Sequence, residues 1–139
     1  MVKYLRARAF SVLAAMLLLL LAPMNFAQAA IKLGDTDNKK TVTLKVNNGV
    51  TIALDSTFWL DATSTNLKIT KPKAVKAIPF GPAAPEGCQH PGTGCGTSTW
   101  VFKATRKGKA SFTVTRDSCG EALRCTPDQS TYTVRFIVK

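Results

Sequence analysis

Strict alternation of apolar and polar residues over two neighbouring segments is the strongest constraint on the fold. The apolar positions of these segments are Trp100, Phe102, Ala104, Ala110, Phe112 and Val114. A period of two residues is typical of half-buried β-strands. The connection at 105–109 is charged and contains Gly108, which can adopt the positive φ that a short connection needs. The two segments therefore predict a long β-hairpin.

The same alternation extends to three further segments. It runs through 41–46, 50–54 and 131–139, and we expect the last of these to join the same sheet as the hairpin. Asn47-Asn48-Gly49 separates the first two segments as a turn, because Asn and Gly tolerate left-handed backbone angles. Residues 31–39 are interpreted as a short polar lead-in.

The middle of the chain is expected to contain short strands and one long loop. Residues 54–59 are interpreted as passing from strand to strand with almost no loop, and Trp59 of the aromatic run 56–60 is placed in the core. One strand is predicted at 67–70, ending at 71–73, and another at 74–80 before the next prolines interfere. Residues 81–96 are rich in proline and glycine and predict a long loop, a feature that is usually functional or disordered in a compact domain.

These segments together predict an all-β fold. Seven or eight short strands, turn signals about every 8 to 12 residues and the absence of helical periodicity favour an antiparallel β-sandwich. An up-and-down barrel is the alternative, but the long proline-rich connection suits a crossing between two sheets.

The N-terminus has the organisation of a secretory signal peptide. A basic start is followed by an apolar run from Ala9 to Ala22 and by Ala27-Gln28-Ala29, the small-residue pattern that signal peptidase recognises. We therefore expect residues 1–29 to be the signal and residues 30–139 to form one domain that is secreted, periplasmic or attached to the cell envelope. A retained anchor is the rival interpretation, but the apolar run is shorter than the roughly 20 residues of a membrane-spanning helix.

Four cysteines lie in the second half of this domain, at Cys88, Cys95, Cys119 and Cys125. Export makes disulfides the expected state, and four cysteines allow three pairings. Local pairing of Cys88 with Cys95 and of Cys119 with Cys125 is favoured, whereas crossed pairing would tie one loop to the other. A zinc site is the weaker alternative, because the chain has no C-x-x-C pair and a single histidine, His90.

The sequence offers little to support catalysis. His90 stands in a loop, and the acidic residues are scattered through turns without a paired arrangement. No phosphate-binding glycine motif follows a strand and opens a helix. We expect no enzymatic activity, no cofactor, no bound metal and no nucleotide, and nucleic acid is a disfavoured partner.

The basic residues suggest a second kind of function. They outnumber the acidic residues, with a formal net charge of +11 for the whole chain. Two groups are clustered in sequence: Lys68, Lys71, Lys73 and Lys76, and Lys103, Arg106, Lys107 and Lys109. One face that presented both groups could bind an anionic polymer. The alternative is that these side chains maintain solubility and block edge-to-edge pairing of sheets.

The stretch from Gly92 to Arg116 resembles the chagasin family of secreted cysteine peptidase inhibitors. The similarity rests on Gly92-Thr93-Gly94-Cys95-Gly96, on the strand 99–105, on Lys107-Gly108 and on the strand that ends at Arg116. By this resemblance Gly92, Gly94 and Gly96 match the family's glycine-rich loop, and Arg116 matches the arginine that opens its third inhibitory loop. The family's Asn-Pro-Thr-Thr-Gly loop has no counterpart here, and Arg116 is followed by Asp117 instead of proline.

The resemblance implies an immunoglobulin-like sandwich whose loops at one end enter the cleft of a papain-like cysteine peptidase. Glycine would let the backbone approach the target closely, and Arg116 would add a charged hydrogen bond. The protein is then a monomeric inhibitor whose contact surface is fastened by disulfides. The alternative is an extracellular or envelope-associated adhesion module with a basic surface.

Overall fold

A computed structural model of the protein describes residues 30–139. The predicted signal peptide, residues 1–29, lies outside the described residues and stays a prediction. Ten strands are present in the described part, with these bounds: β1 Ile31–Leu33, β2 Thr41–Leu44, β3 Gly49–Asp55, β4 Thr63–Thr65, β5 Leu67–Ala77, β6 Gly96–Ala104, β7 Gly108–Thr115, β8 Ser118–Gly120, β9 Leu123–Arg124 and β10 Thr131–Val138. A 3-10 turn, Asp35–Asp37, and a one-turn helix, Pro127–Ser130, complete the secondary structure of this region.

Eight of the strands form the two sheets of a β-sandwich. The first sheet has the order β1-β3-β6-β5 and the second has the order β2-β10-β7-β4. Pairing is antiparallel except for β1 with β3 and β2 with β10, which are parallel. The remaining strands, β8 and β9, form a small separate hairpin. The predicted all-β, immunoglobulin-like sandwich is therefore confirmed.

The prediction of a hairpin over 99–115 is wrong, because β6 and β7 belong to different sheets. The chain crosses from the first sheet to the second at 105–107, and β10 pairs with β7 along its whole length but not with β6. Gly108 has a positive φ of 128° just after this crossing. Alternation shows that each segment has one buried face, but it does not show which strand lies beside it.

The core is formed where these two strands face each other across the sandwich. The ring centroid of Phe112 lies 5.5 Å from that of Trp100 and 5.6 Å from that of Phe102, and Phe102 also packs edge-on against Phe136. Each of these side chains is almost completely buried. Since burying one large apolar side chain stabilises a fold by about 1.5–3 kcal/mol, this aromatic cluster contributes substantially to the stability of the sandwich.

Two segments form more regular structure than the sequence indicates. Residues 67–77 are one strand, not two, and Lys71-Pro72-Lys73 does not end it. The pairing of β5 with β6 shifts register between Ile69 and Ala74, and β5 is an edge strand, which is where a sheet tolerates proline. The lead-in is also partly a strand, because Ile31–Leu33 pairs with β3.

The segment after β1 is fixed to the second sheet by polar contacts. The hydroxyl of Tyr132 donates a hydrogen bond to the carbonyl of Gly34, and the Asn38 side chain bonds both Thr131 and Thr133 in β10. Burial raises the pKa of the Tyr132 hydroxyl well above its ordinary value, with smaller contributions from the negative charges of Asp37 and Asp35. No helix within residues 30–139 is both long and apolar enough to span a bilayer.

Candidate functional site: three loops at one end

Three connections between strands meet at one end of the sandwich. We call them loop 1 (56–62, between β3 and β4), loop 2 (78–95, between β5 and β6) and loop 3 (116–130, between β7 and β10). The strand register brings their ends together, since Asp55 lies opposite Thr97 and Thr115 lies opposite Thr131. The fold thus places three sequence-distant segments on a single surface.

Loop 1 contradicts the expectation that 54–59 passes from strand to strand with almost no loop. Seven residues separate β3 from β4, and Ser56 leaves β3 with a positive φ of 98°. Trp59 is 3% exposed, so its prediction as a core side chain is confirmed, and its indole nitrogen donates to the Asp55 carbonyl at 2.8 Å. The aromatic residues of this run therefore fix a loop to the core and do not form a strand.

Hydrogen bonds join loop 1 to both neighbouring segments. The amides of Ser56 and Thr57 donate to the carbonyls of Gly96 and Gly94, each at 2.8 Å. The Leu60 amide donates to the carbonyl of Thr115, also at 2.8 Å. Because these bonds reach the end of loop 2 and the start of loop 3, loop 1 holds a central position in the site.

Loop 2 and the first residue of β6, Gly96, contain glycines that pack against other parts of this chain. Gly92, Gly94 and Gly96 all have positive φ, at 79°, 67° and 143°. A Cβ at Gly94 would overlap the ring of Phe58, and one at Gly96 would overlap the carbonyl oxygen of Lys76. Two of the three glycines are therefore required for the close packing of loop 2 against loop 1 and β5.

Both disulfides have the local pairing that the sequence analysis favoured. Cys88 is bonded to Cys95 within loop 2, with their Cα atoms 5.8 Å apart, and Cys119 to Cys125 within loop 3, with their Cα atoms 4.9 Å apart. No covalent link joins these two loops. They are nevertheless adjacent, because a Cβ on Gly92 would lie 3.4 Å from Cγ of Glu121.

Arg116 begins loop 3 and connects it to loop 1. Its Nε donates to the carbonyl of Gln129 at 3.0 Å, and its guanidinium carbon lies 4.4 Å from the centroid of the Trp59 ring. A cation over an indole face is an attractive arrangement. Within residues 30–139 the terminal nitrogens of Arg116 donate no hydrogen bond, and the residue lines clefts on both sides of loop 3.

A cleft runs between the three loops. It has a volume of about 380 Å³, and its lining includes Ser56 of loop 1, Ile78 and Cys95 of loop 2, and Arg116 and Cys119 of loop 3. A second cleft of about 610 Å³ lies within loop 3 itself, beside Leu123 and Arg124. The site is therefore a furrowed end surface and not one deep pocket.

Large apolar side chains project from each of the three loops. Leu60 of loop 1 is 48% exposed, Phe80 of loop 2 is 64% exposed and Leu123 of loop 3 is 61% exposed. The sequence analysis did not identify these residues. Phe80 was expected to end a strand at 74–80, but β5 ends at Ala77 and Phe80 lies in loop 2. Leu123 lies outside the alternating segments, which was the available signal that it is not held in the core.

No metal site is found among the described residues of the loop end. Within residues 30–139 no three His, Cys, Asp or Glu side chains are grouped closely enough to hold a metal ion. His90 is exposed in loop 2, and its carbonyl accepts a hydrogen bond from Thr93. The arrangement provides apolar contacts, backbone groups and the Arg116 guanidinium.

Solved structures of two proteins share this fold. The cysteine protease inhibitor EhICP2 from Entamoeba histolytica matches with a TM-score of 0.58 and 14% identity, over 81% of this chain and 98% of that one. Amebosin matches with a TM-score of 0.54 and 16% identity, over 80% of this chain and 99% of that one. Comparisons with models of protein families and with curated proteins found no match. The chagasin-type resemblance is therefore confirmed for the fold.

Proposed function

We propose that the protein is a secreted, non-enzymatic inhibitor of papain-like cysteine peptidases that binds its target through loops 1, 2 and 3. The observation that carries this proposal is the meeting of the three loops at one end, each with an exposed apolar side chain. A solved protein of the same fold is described as a cysteine protease inhibitor. The chagasin-like sequence from Gly92 to Arg116 supports the same target class.

The loops offer the chemistry that a peptidase cleft can bind. Leu60, Phe80 and Leu123 supply apolar area that water leaves on binding, and such anchors dominate the affinity of most protein interfaces. Gly92 is exposed and lets the backbone of loop 2 come close to the target. The terminal nitrogens of Arg116 can donate to a carbonyl or carboxylate of the peptidase.

The two disulfides and the glycine packing prepare this surface before binding. Loops that are already ordered lose less conformational entropy when they dock, which strengthens binding. Gly94 and Gly96 act indirectly in this proposal, since they position loop 2 against Phe58 and Lys76. Gly92 and Arg116 are the residues, among those that match the family, that we assign to direct contact.

The test is a titration of papain and related peptidases with the purified protein, with residual activity measured on a fluorogenic peptide. We expect stoichiometric inhibition at concentrations below micromolar and no effect on trypsin, a serine peptidase. Absence of inhibition of every papain-like peptidase at micromolar concentration would remove this function and leave the fold unaffected.

Two single substitutions examine the contact surface. Phe80→Ala and Leu123→Ala are each expected to raise the inhibition constant about tenfold, because each removes an exposed anchor without opening the core. Ile137→Ala is the matched control, since this residue is 42% exposed on β10 of the second sheet. Equal effects of all three substitutions would argue against binding through the loop end.

Export is tested separately. When the whole chain is produced in a secreting host, we expect the exported protein to begin at Ala30. N-terminal sequencing identifies the first residue, and a product that retains Met1 would contradict the predicted signal.

A further inference from the structure

The outer face of the first sheet carries a group of lysines that the loop end does not use. Strand register places five lysines on this face: Lys32 of β1, Lys68, Lys71 and Lys76 of β5, and Lys103 of β6. All five are exposed. Other outward positions on the central strands have smaller side chains, such as Thr51, Thr99 and Val101. This lysine face thus draws its positive charge from three of the four strands, and β3 contributes none.

The charge is densest away from the loops. Lys68 lies directly opposite Lys103 in the pairing of β5 with β6, and Lys71 lies opposite Val101. Arg106 donates to the side chain of Asn66, next to the start of β5, and so adds charge at that end. Asp55 is the one acidic residue among the paired outward positions of this sheet. It lies at the loop end, on one side of Thr97, and Lys76 lies on the other side.

Fold stability does not account for this arrangement. Like charges placed directly opposite on neighbouring strands are destabilising. Lysines on an edge strand prevent sheet-to-sheet association, but Lys103 is on β6, an interior strand. Within residues 30–139 the salt bridges pair Lys39 with Asp128 and Lys40 with Asp37, and none involves a residue of the lysine face.

The lysines on β5 also follow a line. Lys68 and Lys76 lie opposite Lys103 and Thr97, which are six residues apart on β6, and this corresponds to about 20 Å at about 3.3 Å per residue. Lys71 lies between them, and Lys103 is one strand away, at about 4.8 Å. This geometry suits a linear chain that bears regularly repeated negative charges.

The side chains of the lysine face favour some linear anions over others. Lysine ammonium groups attract anions as hydrated point charges and do not form the fixed two-bond geometry of arginine. Proteins bind single-stranded nucleic acid with aromatic side chains that stack on the bases. The outward positions in the pairings of β3 with β6 and of β5 with β6 contain no aromatic residue. The lysine face also lacks a large apolar side chain for insertion into a bilayer. Ile69 and Val75 are 43% and 48% exposed, but they pair with inward Phe102 and Ser98 and so belong to the opposite face of the sheet.

We propose that the lysine face binds a linear anionic polysaccharide, carboxylated or sulfated, laid along β5. Lys68, Lys71 and Lys103 are its principal contacts, and Lys32 and Lys76 extend the surface. The face lies on the side of the sandwich, whereas loops 1, 2 and 3 form its end, so the protein can hold the polysaccharide and present the loops simultaneously. This inference does not depend on the proposed inhibition.

The experiment measures binding of the protein to a heparin fragment, as a sulfated probe, by calorimetry over a series of NaCl concentrations. We expect the affinity to fall steeply with salt. The triple variant K68Q/K71Q/K103Q should bind at least about tenfold more weakly, with a log–log salt slope smaller by about three, roughly one for each lysine removed. The control K45Q/K109Q/K139Q removes the same charge from elsewhere and should retain most of the affinity.

Four results would overturn the proposal. They are no binding by the unmodified protein, equal losses in the two triple variants, stronger competition by a single-stranded oligonucleotide, and stronger competition by anionic phospholipid vesicles. Thermal melting shows whether each variant is folded, and removal of the Lys68–Lys103 contact should not lower Tm. Peptidase inhibition by K68Q/K71Q/K103Q is expected to equal that of the unmodified protein, and a parallel loss would show that the two surfaces are not separate.

Discussion

The two ends of the sandwich are built very differently. At one end the connections are short and polar: 45–48, the single residue Asn66, and 105–107. At the other end loops 1, 2 and 3 are long, and two of them contain a disulfide. The short end only reverses the chain, whereas the loop end contains apolar side chains that the core does not bury. For this reason the proposed peptidase contact is assigned to the loop end, and the strands are its scaffold.

The largest expected effect comes from the scaffold. Phe112→Ala removes the ring that contacts Trp100 and Phe102, and we expect it to lower the free energy of unfolding by about 3–5 kcal/mol. Phe80→Ala at the loop end should change it by less than about 0.5 kcal/mol, because the side chain is exposed. Urea unfolding followed by tryptophan fluorescence measures both, and similar values would contradict the distinction between scaffold and loops.

Gly96, which directly follows loop 2, allows a sharper test at the loop end. Gly96→Ala forces a Cβ against the backbone of Lys76, and overpacking of this kind costs about 1–3 kcal/mol. Gly81 is a matched control, since its φ of 145° is close to the 143° of Gly96 and nothing lies within 4 Å of its Cβ position. Chemical denaturation of both alanine variants isolates the steric contribution, and equal destabilisation would exclude the packing role of Gly96.

The disulfides are expected to have a moderate effect on stability and a larger effect on binding. Replacing Cys119 and Cys125 together by serine should destabilise the fold by about 2 kcal/mol, as the loop-entropy relation gives for a separation of 6 residues. Loop 3 then loses its fixed shape, and peptidase inhibition should weaken. Inhibition assays at temperatures below the Tm of the variant measure this loss of inhibition. Unchanged inhibition would show that loop 3 does not need the disulfide for its contribution to binding.

Tyr132 tests the attachment of the 34–40 segment to the second sheet. Its pKa is raised above the ordinary 10.0, so the folded state holds the proton more tightly than the unfolded state. Stability is therefore unaffected below pH 10 and falls as the pH rises further. Tyr132→Phe should cost about 1 kcal/mol at neutral pH, through loss of the hydrogen bond to Gly34, and should reduce the alkaline loss. Absorbance of tyrosinate against pH, recorded with circular dichroism, checks both effects.

The smallest effect is expected at Asp37. The Gly34 amide and the Lys40 ammonium lower the pKa of its carboxyl below 3.8, so the charged form stabilises the fold above that value. This stabilisation is lost as the pH falls through the lowered pKa. Asp37→Asn should therefore slightly reduce Tm at pH 7, with the difference disappearing under acid conditions. A Tm difference that grew as the pH fell would contradict this assignment.

The sequence predicted the class of fold and most strand positions, because alternation records which side of a strand is buried. Phe112 and Val134 are buried as their alternating patterns indicate, and β10 agrees with its predicted position within one residue. It did not predict that β6 and β7 lie in different sheets. That arrangement depends on hydrogen-bond partners and on packing of Phe102 against Phe112, which alternation within one strand does not specify.

The candidate site was predicted only in part for the same reason. The cysteines, the glycines and Arg116 are local signals, and they placed loops 2 and 3 at the ends of strands. Loop 1 was missed, because an apolar run such as Phe58-Trp59-Leu60 fits a strand as well as a loop whose tryptophan turns into the core. The Trp59–Arg116 contact joins residues of two different loops, and only the folded chain brings them together.

By itself, the sequence determined that this chain is all-β, and it favoured a sandwich with local disulfides, because these expectations rest on patterns within a few neighbouring residues. The tertiary structure decided which segments share a surface. Strand order brought loops 1, 2 and 3 to one end and placed Lys68 beside Lys103 on another face. Both surfaces depend on pairings between strands that are distant in sequence. These pairings are stabilised by packing the two sheets together, and no single segment of sequence specifies that packing.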